Sequence, residues 1–182
     1  MNLQPYSGLR AYLLGASQEG TSQSGASEGR WSVERTLFDR AAGTHGTFTG
    51  VVIFSETDDG GGLRFHEEGT VRWPAPHGAT FTGPAMREYL LRPTDSPDAL
   101  DMTFPDGRPF HRMSFSADSS QDQHWCDPDT YRVTYALLGP DAFSYVWDVR
   151  GPRKDLLLES VLLRQTAPGD APRVPGELGS TS

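Results

Sequence analysis

The sequence predicts an all-β protein: a closed antiparallel up-and-down barrel of about eight to ten strands, preceded by a short N-terminal helix. Three observations predict it. Apolar and polar residues alternate with period two from Gly29 to Gln165. Explicit turn signals break that alternation at short intervals, and no heptad or long helical pattern intervenes. The 182-residue length suits one domain, and 20 Gly with 14 Pro suit many turns.

The elements follow in order. Pro5 to Leu14 reads as a helix, with proline in its first turn and Leu9, Tyr12 and Leu13 on one side. Residues 15–28 form a Gly/Ser-rich linker with no apolar side chain larger than alanine, too little to offset its ordering entropy. The barrel domain takes residues 29–165, and the Pro/Gly-rich residues 166–182 read as a disordered tail. In the first strand, Trp31, Val33 and Leu37 alternate with Ser32, Glu34 and Thr36. Thr47 to Phe54 is β-branched and aromatic and ends at Asp58-Asp59-Gly60-Gly61-Gly62, a hairpin signal. Leu63 to Trp73 continues, with Glu68-Gly69 as a candidate bulge. Ala85 to Leu91, Leu100 to Phe104 and Phe110 to Phe115 follow, the last two joined through Pro105-Asp106-Gly107. Tyr131 to Leu137 and Phe143 to Val149 pair through Gly139-Pro140-Asp141, and Leu156 to Arg164 closes the series. Short connections make neighbours antiparallel, and closure removes exposed edges. An open two-layer sandwich is the alternative.

Charge and cysteine usage exclude several function classes. Sixteen Lys and Arg against 24 Asp and Glu give a net charge of −8, against a general nucleic-acid binder or an anionic-lipid surface. One cysteine, Cys126, cannot build a disulfide framework. The N-terminus lacks the basic start and apolar stretch of a signal peptide. Apolar runs such as Val51-Val52-Ile53-Phe54 fall far short of the ~20 residues that span a bilayer. The expected setting is cytoplasmic.

A family resemblance enters at the ends of the strand series. Gly29-Arg30-Trp31 resembles the Gly-x-Trp signature of lipocalin and calycin barrels. Arg164 stands where those families place an arginine across the tryptophan, a cation–π seal that requires first and last strands to be neighbours. The resemblance gives Gly29, Trp31 and Arg164 structural roles and implies a helix capping one barrel end. The Gly/Ser segment reads as an insertion after that helix. Between these ends, Trp31-Ser32-Val33-Glu34-Arg35, Arg87-Glu88-Tyr89, Asp106-Gly107-Arg108-Pro109-Phe110-His111 and His124-Trp125-Cys126-Asp127-Pro128-Asp129 stand out. With Glu68-Gly69, Thr130-Tyr131 and Gly151-Pro152-Arg153-Lys154-Asp155, they resemble a family of uncharacterised single-domain barrels over about Tyr6 to Arg164.

The polar residues carry competing readings. His124, Cys126, Asp129 and His111 could ligate zinc, but a single His-x-Cys lacks a second pair of fixed spacing. The bland reading is a loop held by hydrogen bonds, with Asx turns around Pro128. No metal site is assigned. A Cys126 thiolate beside His124 or His111 would be a nucleophile, whereas a buried cysteine acting as a small hydrophobe is the default. Arg87, Tyr89, Arg108, Arg153 and Lys154 could form an anion site, since a guanidinium fork suits carboxylate or phosphate. Otherwise Arg87 and Arg108 brace loops against Glu67, Glu68 or Asp106. Tyr131, Tyr135, Tyr145 and Trp147 line a pocket or fill a core, with core the default. His45 and His77 fall in exposed Gly-rich turns.

No P-loop, Gly-x-Ser-x-Gly, His-Glu-x-x-His or Gly-x-Gly-x-x-Gly occurs. The leading expectation is therefore a barrel that binds a small anionic or amphipathic molecule, without a resident cofactor. Its binding residues would be Arg87, Tyr89, Arg108, His111, His124, Cys126, Tyr131 and Lys154, and of these Arg87, Tyr89, Arg108, His111, Cys126 and Tyr131 are expected to converge near one barrel end. A haem carrier with a histidine axial ligand is a sub-case. Arg108 and His111 have opposite strand parity, so they meet only if Pro109 makes the strand entry irregular. One alternative is an enzyme on a small anionic substrate, with His111 or His124 as acid/base and Arg108 or Lys154 holding charge. Another is a non-catalytic interaction module that engages a protein partner through the flexible segments.

Overall fold

Alternation with period two places every second side chain on one face, and a sheet carrying one apolar face must curl or stack to bury it. In a computed structural model of the protein, it curls. The described residues are 7–15, 28–74, 78–116 and 120–165. Residues 16–27 of the expected linker, the tail 166–182 and His77 lie outside them.

One helix, α1 (Leu9–Leu14), precedes ten strands: β1 (Glu28–Asp39), β2 (Thr44–Glu56), β3 (Leu63–Pro74), β4 (Thr80–Pro93) and β5 (Ala99–Thr103) in the first half. The second half comprises β6 (Pro109–Ser114), β7 (Gln121–Cys126), β8 (Asp129–Gly139), β9 (Ala142–Gly151) and β10 (Lys154–Arg164). They form one antiparallel sheet in the order β6-β5-β4-β3-β2-β1-β10-β9-β8-β7. The first and last strands pair, with Trp31 opposite Arg164. The barrel is nearly closed, and its seam lies between β6 and β7. There the Arg112 amide of β6 donates to the Asp122 carboxylate of β7.

Three details depart from the sequence reading. The segment around His124 and Cys126 is a strand, β7, where a hydrogen-bonded loop was the bland expectation. Glu68-Gly69 is not a bulge, because β3 pairs without a register break on both sides. A Cβ on Gly69 would lie 2.7 Å from the Phe48 ring and 2.6 Å from the Gly50 Cα. The paired glycines Gly50 and Gly69 thus clear the wall for a buried phenylalanine. The register breaks lie instead between Met102 and Thr103 and between Leu137 and Gly139.

Helix α1 plugs one end. Leu9, Tyr12 and Leu13 are fully buried, and the Trp31 indole N–H donates to the Leu13 carbonyl at 2.9 Å. The Arg164 guanidinium lies 4.1 Å from the Trp31 ring and donates to the Tyr12 carbonyl at 2.6 Å. Gly29 has a definite steric role: a Cβ there would sit 1.9 Å from the Leu13 carbonyl oxygen. The helix ends at Gly15, left-handed at φ 77°. Burying each large apolar side chain in this layer contributes about 1.5–3 kcal/mol. No described helix is long and apolar enough to cross a membrane.

Candidate ligand-binding site

The opposite end carries the connections β1–β2, β3–β4, β5–β6, β7–β8 and β9–β10. Between it and the plug, the inward positions of the strands bring polar groups into the interior. On β1, Arg35 lies on the same face as Val33 and Leu37; on β3, Glu67 shares the face of Phe65. Arg35 is 7% exposed and Glu67 2%. They make a two-pronged ion pair, Nη1 to Oε1 at 3.0 Å and Nη2 to Oε2 at 2.6 Å. Arg35 Nε also donates to the Ser160 hydroxyl at 2.8 Å, and its plane lies 4.9 Å from the Phe48 ring.

Arg87 on β4 reaches the same carboxylate, with Nε 2.7 Å from Oε1 and Nη2 donating to Oε2 at 3.1 Å. The Tyr145 hydroxyl accepts from Arg35 at 2.5 Å and from Arg87 at 2.9 Å. Burial pushes the Glu67 carboxyl up, but the two guanidiniums overcome it and hold it below its ordinary value. Among the described residues, two guanidiniums therefore share one carboxylate, leaving one positive charge over. Arg87 carries it toward solvent, with its side chain 29% exposed where Arg35 is enclosed.

Beside Arg87 lies a cavity of about 20 Å³, room for little more than one water molecule. Arg87, Tyr89, His111, Tyr135, Tyr145 and an aromatic-rich wall containing Phe110 and Trp147 line it. His111 is buried, and its Nε2 lies 2.6 Å from the Tyr135 hydroxyl. Its Nδ1 has no hydrogen-bond partner among the described residues. Burial lowers the imidazole to about 3, with Arg87 and His124 adding to the effect and Asp122 opposing it. At neutral pH this ring is uncharged and serves as a hydrogen-bonding group. Burial raises the Tyr89 and Tyr135 phenols, so both keep their protons.

Phe110 and His111 are consecutive, yet both line the cavity. The register break explains it: Met102 pairs with His111 and Thr103 with Pro109, so Phe110 is the extra residue of a bulge. An irregular entry to β6 therefore exists, but it does not bring Arg108 inward. Arg108 has a 73% exposed side chain and pairs with Asp106 of its own turn at 2.8 Å. Lys154 is the exposed first residue of β10, bonded to Asp129 at 2.6 Å and to the Tyr131 hydroxyl at 2.8 Å. Neither cation makes a hydrogen bond or ion pair with His111 among the described residues, while Lys154 reaches the neighbourhood of His124 only through Tyr131, whose ring lies 6.3 Å from the imidazole.

The remaining expected residues divide. Tyr89 stacks on Phe110 with centroids 5.0 Å apart. His124 is half-buried at the rim, 5.1 Å from the Phe110 ring, and Tyr131 lies 6.4 Å from Trp147. Cys126 is exposed, which corrects the expectation of a buried small hydrophobe. A strand-end position on the edge strand β7, followed by a turn, gives it no core to enter. Among the described residues no three His, Cys, Asp or Glu side chains gather as metal ligands. His45 is exposed and stacks on Phe38 at 4.2 Å.

Sequence reasoning missed Arg35 and named Glu67 only as a surface partner. The signal was present: Arg35 stands two residues from Val33 and from Leu37, and Glu67 two from Phe65. Charged residues on an inward parity announce a buried polar cluster.

Comparison with known proteins relates the fold to solved structures and the chain to a family. The barrel is similar to the S-type phycobiliprotein lyase CPES from Guillardia theta, at 10% sequence identity and a TM-score of 0.49. That likeness covers 76% of this chain and 88% of the lyase. No curated protein matches the chain. The model of a family of unknown function, DUF6314, matches residues 28–164, from the first residue of β1 to the last of β10. The chain belongs to the DUF6314 family of unknown function.

Proposed function

We propose that the protein binds a small molecule carrying an anionic group, seated at the unplugged half of the barrel with its charge against Arg87. The observation that carries this reading is the surplus cation. Buried charges are normally paired, and two guanidiniums held by one carboxylate leave a preorganised seat for a second anion. The surroundings suit an organic anion. Aromatic walls supply apolar contact, while the unpartnered His111 Nδ1 and the phenols of Tyr89 and Tyr145 supply directional polar groups. His124 and Tyr131 form the rim. Arg108, Cys126 and Lys154, being outside this chamber, are assigned no contact.

The test is fluorescence titration with 8-anilinonaphthalene-1-sulfonate, an aromatic anion, on the whole chain. Binding should weaken at least tenfold in Arg87→Met, which keeps an apolar stem and removes the charge, and stay unchanged in Arg108→Ala. Equal affinity for wild type and Arg87→Met would refute the assignment.

A further inference from the structure

Three rings in the chamber are stacked, as His111 and Tyr135 beside them also are at 16°. Phe110 lies between Tyr89 and Trp147, 5.0 Å from the first at 21° and 5.3 Å from the second at 15°. At the plugged end, by contrast, Phe115 meets Tyr12, Tyr135 and Phe143 edge-on, at 82°, 88° and 65°. Edge-on packing fills space in any direction. Two nearly parallel walls on either side of one ring make a slot for something flat.

The ring now in that slot also touches Phe104, His111 and His124, and the backbone that carries it is irregular. Phe110 is the extra residue of the β5–β6 bulge, outside the ladder register. Strand β6 is a sheet edge, paired on one side only. On its outer side, Met102, Phe110, His111, Arg112 and Asp122 line a surface groove of about 490 Å³ along the β6–β7 seam. Phe110, Met102 and His111 thus border both the groove and the inner cavity, so the groove adjoins the space the ring occupies.

We infer that Phe110 is a displaceable plug holding the seat of a planar aromatic acid. Its swing into the seam groove opens a slot between Tyr89 and Trp147 for the ligand's ring. The vacated space is that of a benzene ring plus the 20 Å³ cavity beside it. Apolar cavities of roughly 150 Å³ accept benzene. The anionic group follows from position: the Arg87 guanidinium lies 5.9 Å from the Tyr89 ring, beside the slot wall. His111, adjacent to Phe110 in sequence and 4.9 Å from Trp147, offers its unpartnered Nδ1 to a polar ring substituent. Affinity in the native protein is then set partly by the cost of moving Phe110, so removing the plug strengthens binding. The inference deepens the reading of an anion seat at Arg87 and rests on it.

The experiment is calorimetric titration of the whole chain with benzoate and with its uncharged analogue benzamide. Phe110→Ala should bind benzoate at least tenfold more tightly than wild type and prefer it to benzamide. Adding Arg87→Met should abolish that preference. Phe115→Ala, which removes a ring from the edge-on layer, should show no gain. Should Phe110→Ala not fold, Phe110→Leu keeps most of the apolar volume without the flat ring and should show a smaller gain of the same sign. No gain in either Phe110 variant overturns the plug. If 8-anilinonaphthalene-1-sulfonate still requires Arg87 in that case, the anion seat stands and only the plug fails. Equal gain in Phe115→Ala would also overturn the plug, since any enlarged cavity would then suffice.

Discussion

Acidification below neutrality should destabilise the barrel through His111. In the folded protein burial lowers this imidazole from 6.5 to about 3, so the unfolded chain takes up its proton first. For a base with a depressed folded pKa, the stabilising contribution is fully present above the unfolded value and lost as pH falls from about 6.5 toward 3. At about 1.36 kcal/mol per unit, moving from pH 7 to pH 5 costs about 2 kcal/mol. His66 works in the opposite sense. Its pKa is raised chiefly by its hydrogen bond to Glu88, so its contribution is present below the unfolded value and lost as pH rises. It is half-buried, but both its carboxylate partners are exposed, and solvent screening keeps that contribution small. The assay is urea denaturation at pH 7 and pH 5 for wild type and His111→Phe. The variant strands the Tyr135 hydroxyl, a fixed cost of about 1–3 kcal/mol at both pH values, so the slope is the readout and not the level. Wild type should lose about 2 kcal/mol more than the variant over this interval. Equal losses in the two proteins would refute the buried, neutral His111.

The other predictions concern the plug and the ion cluster. Gly29→Ala drives a Cβ into the Leu13 carbonyl, which also accepts the Trp31 indole N–H. It should cost at least about 1–3 kcal/mol in a urea melt and speed hydrogen exchange in α1. Glu67→Gln leaves Arg35 and Arg87 without a counter-ion and should cost about 3–5 kcal/mol. Glu68→Gln, one residue along on the outer face, should stay within about 0.5 kcal/mol in the same melt.

The fold was legible because its signals are local. Alternation assigns each strand a face, and Asp-Gly and Gly-Pro-Asp turns set the hairpins. The Gly29-x-Trp31 and Arg164 pair needs only its placement at the two ends of the series to imply closure, and the two meet across β1 and β10. Strand β7 was harder to see, because Gln121 to Cys126 is polar and sits at the seam, where a strand has little core to face.

What the sequence by itself determined is parity: which side of the sheet Arg87, Tyr89, Arg35 and Glu67 occupy. Only the tertiary structure decided which of them meet. Partners across a barrel are set by strand stagger and tilt, and these appear in no single strand's pattern. Arg35 finds Glu67 two strands away, while Arg108, in a turn rich in its own carboxylate, closes on Asp106 and never enters. A single extra residue at Phe110 turns two consecutive side chains inward, which no period-two reading contains. The cavity is the difference between the volume the wall encloses and the volume its side chains fill, so it exists only once every strand is in register.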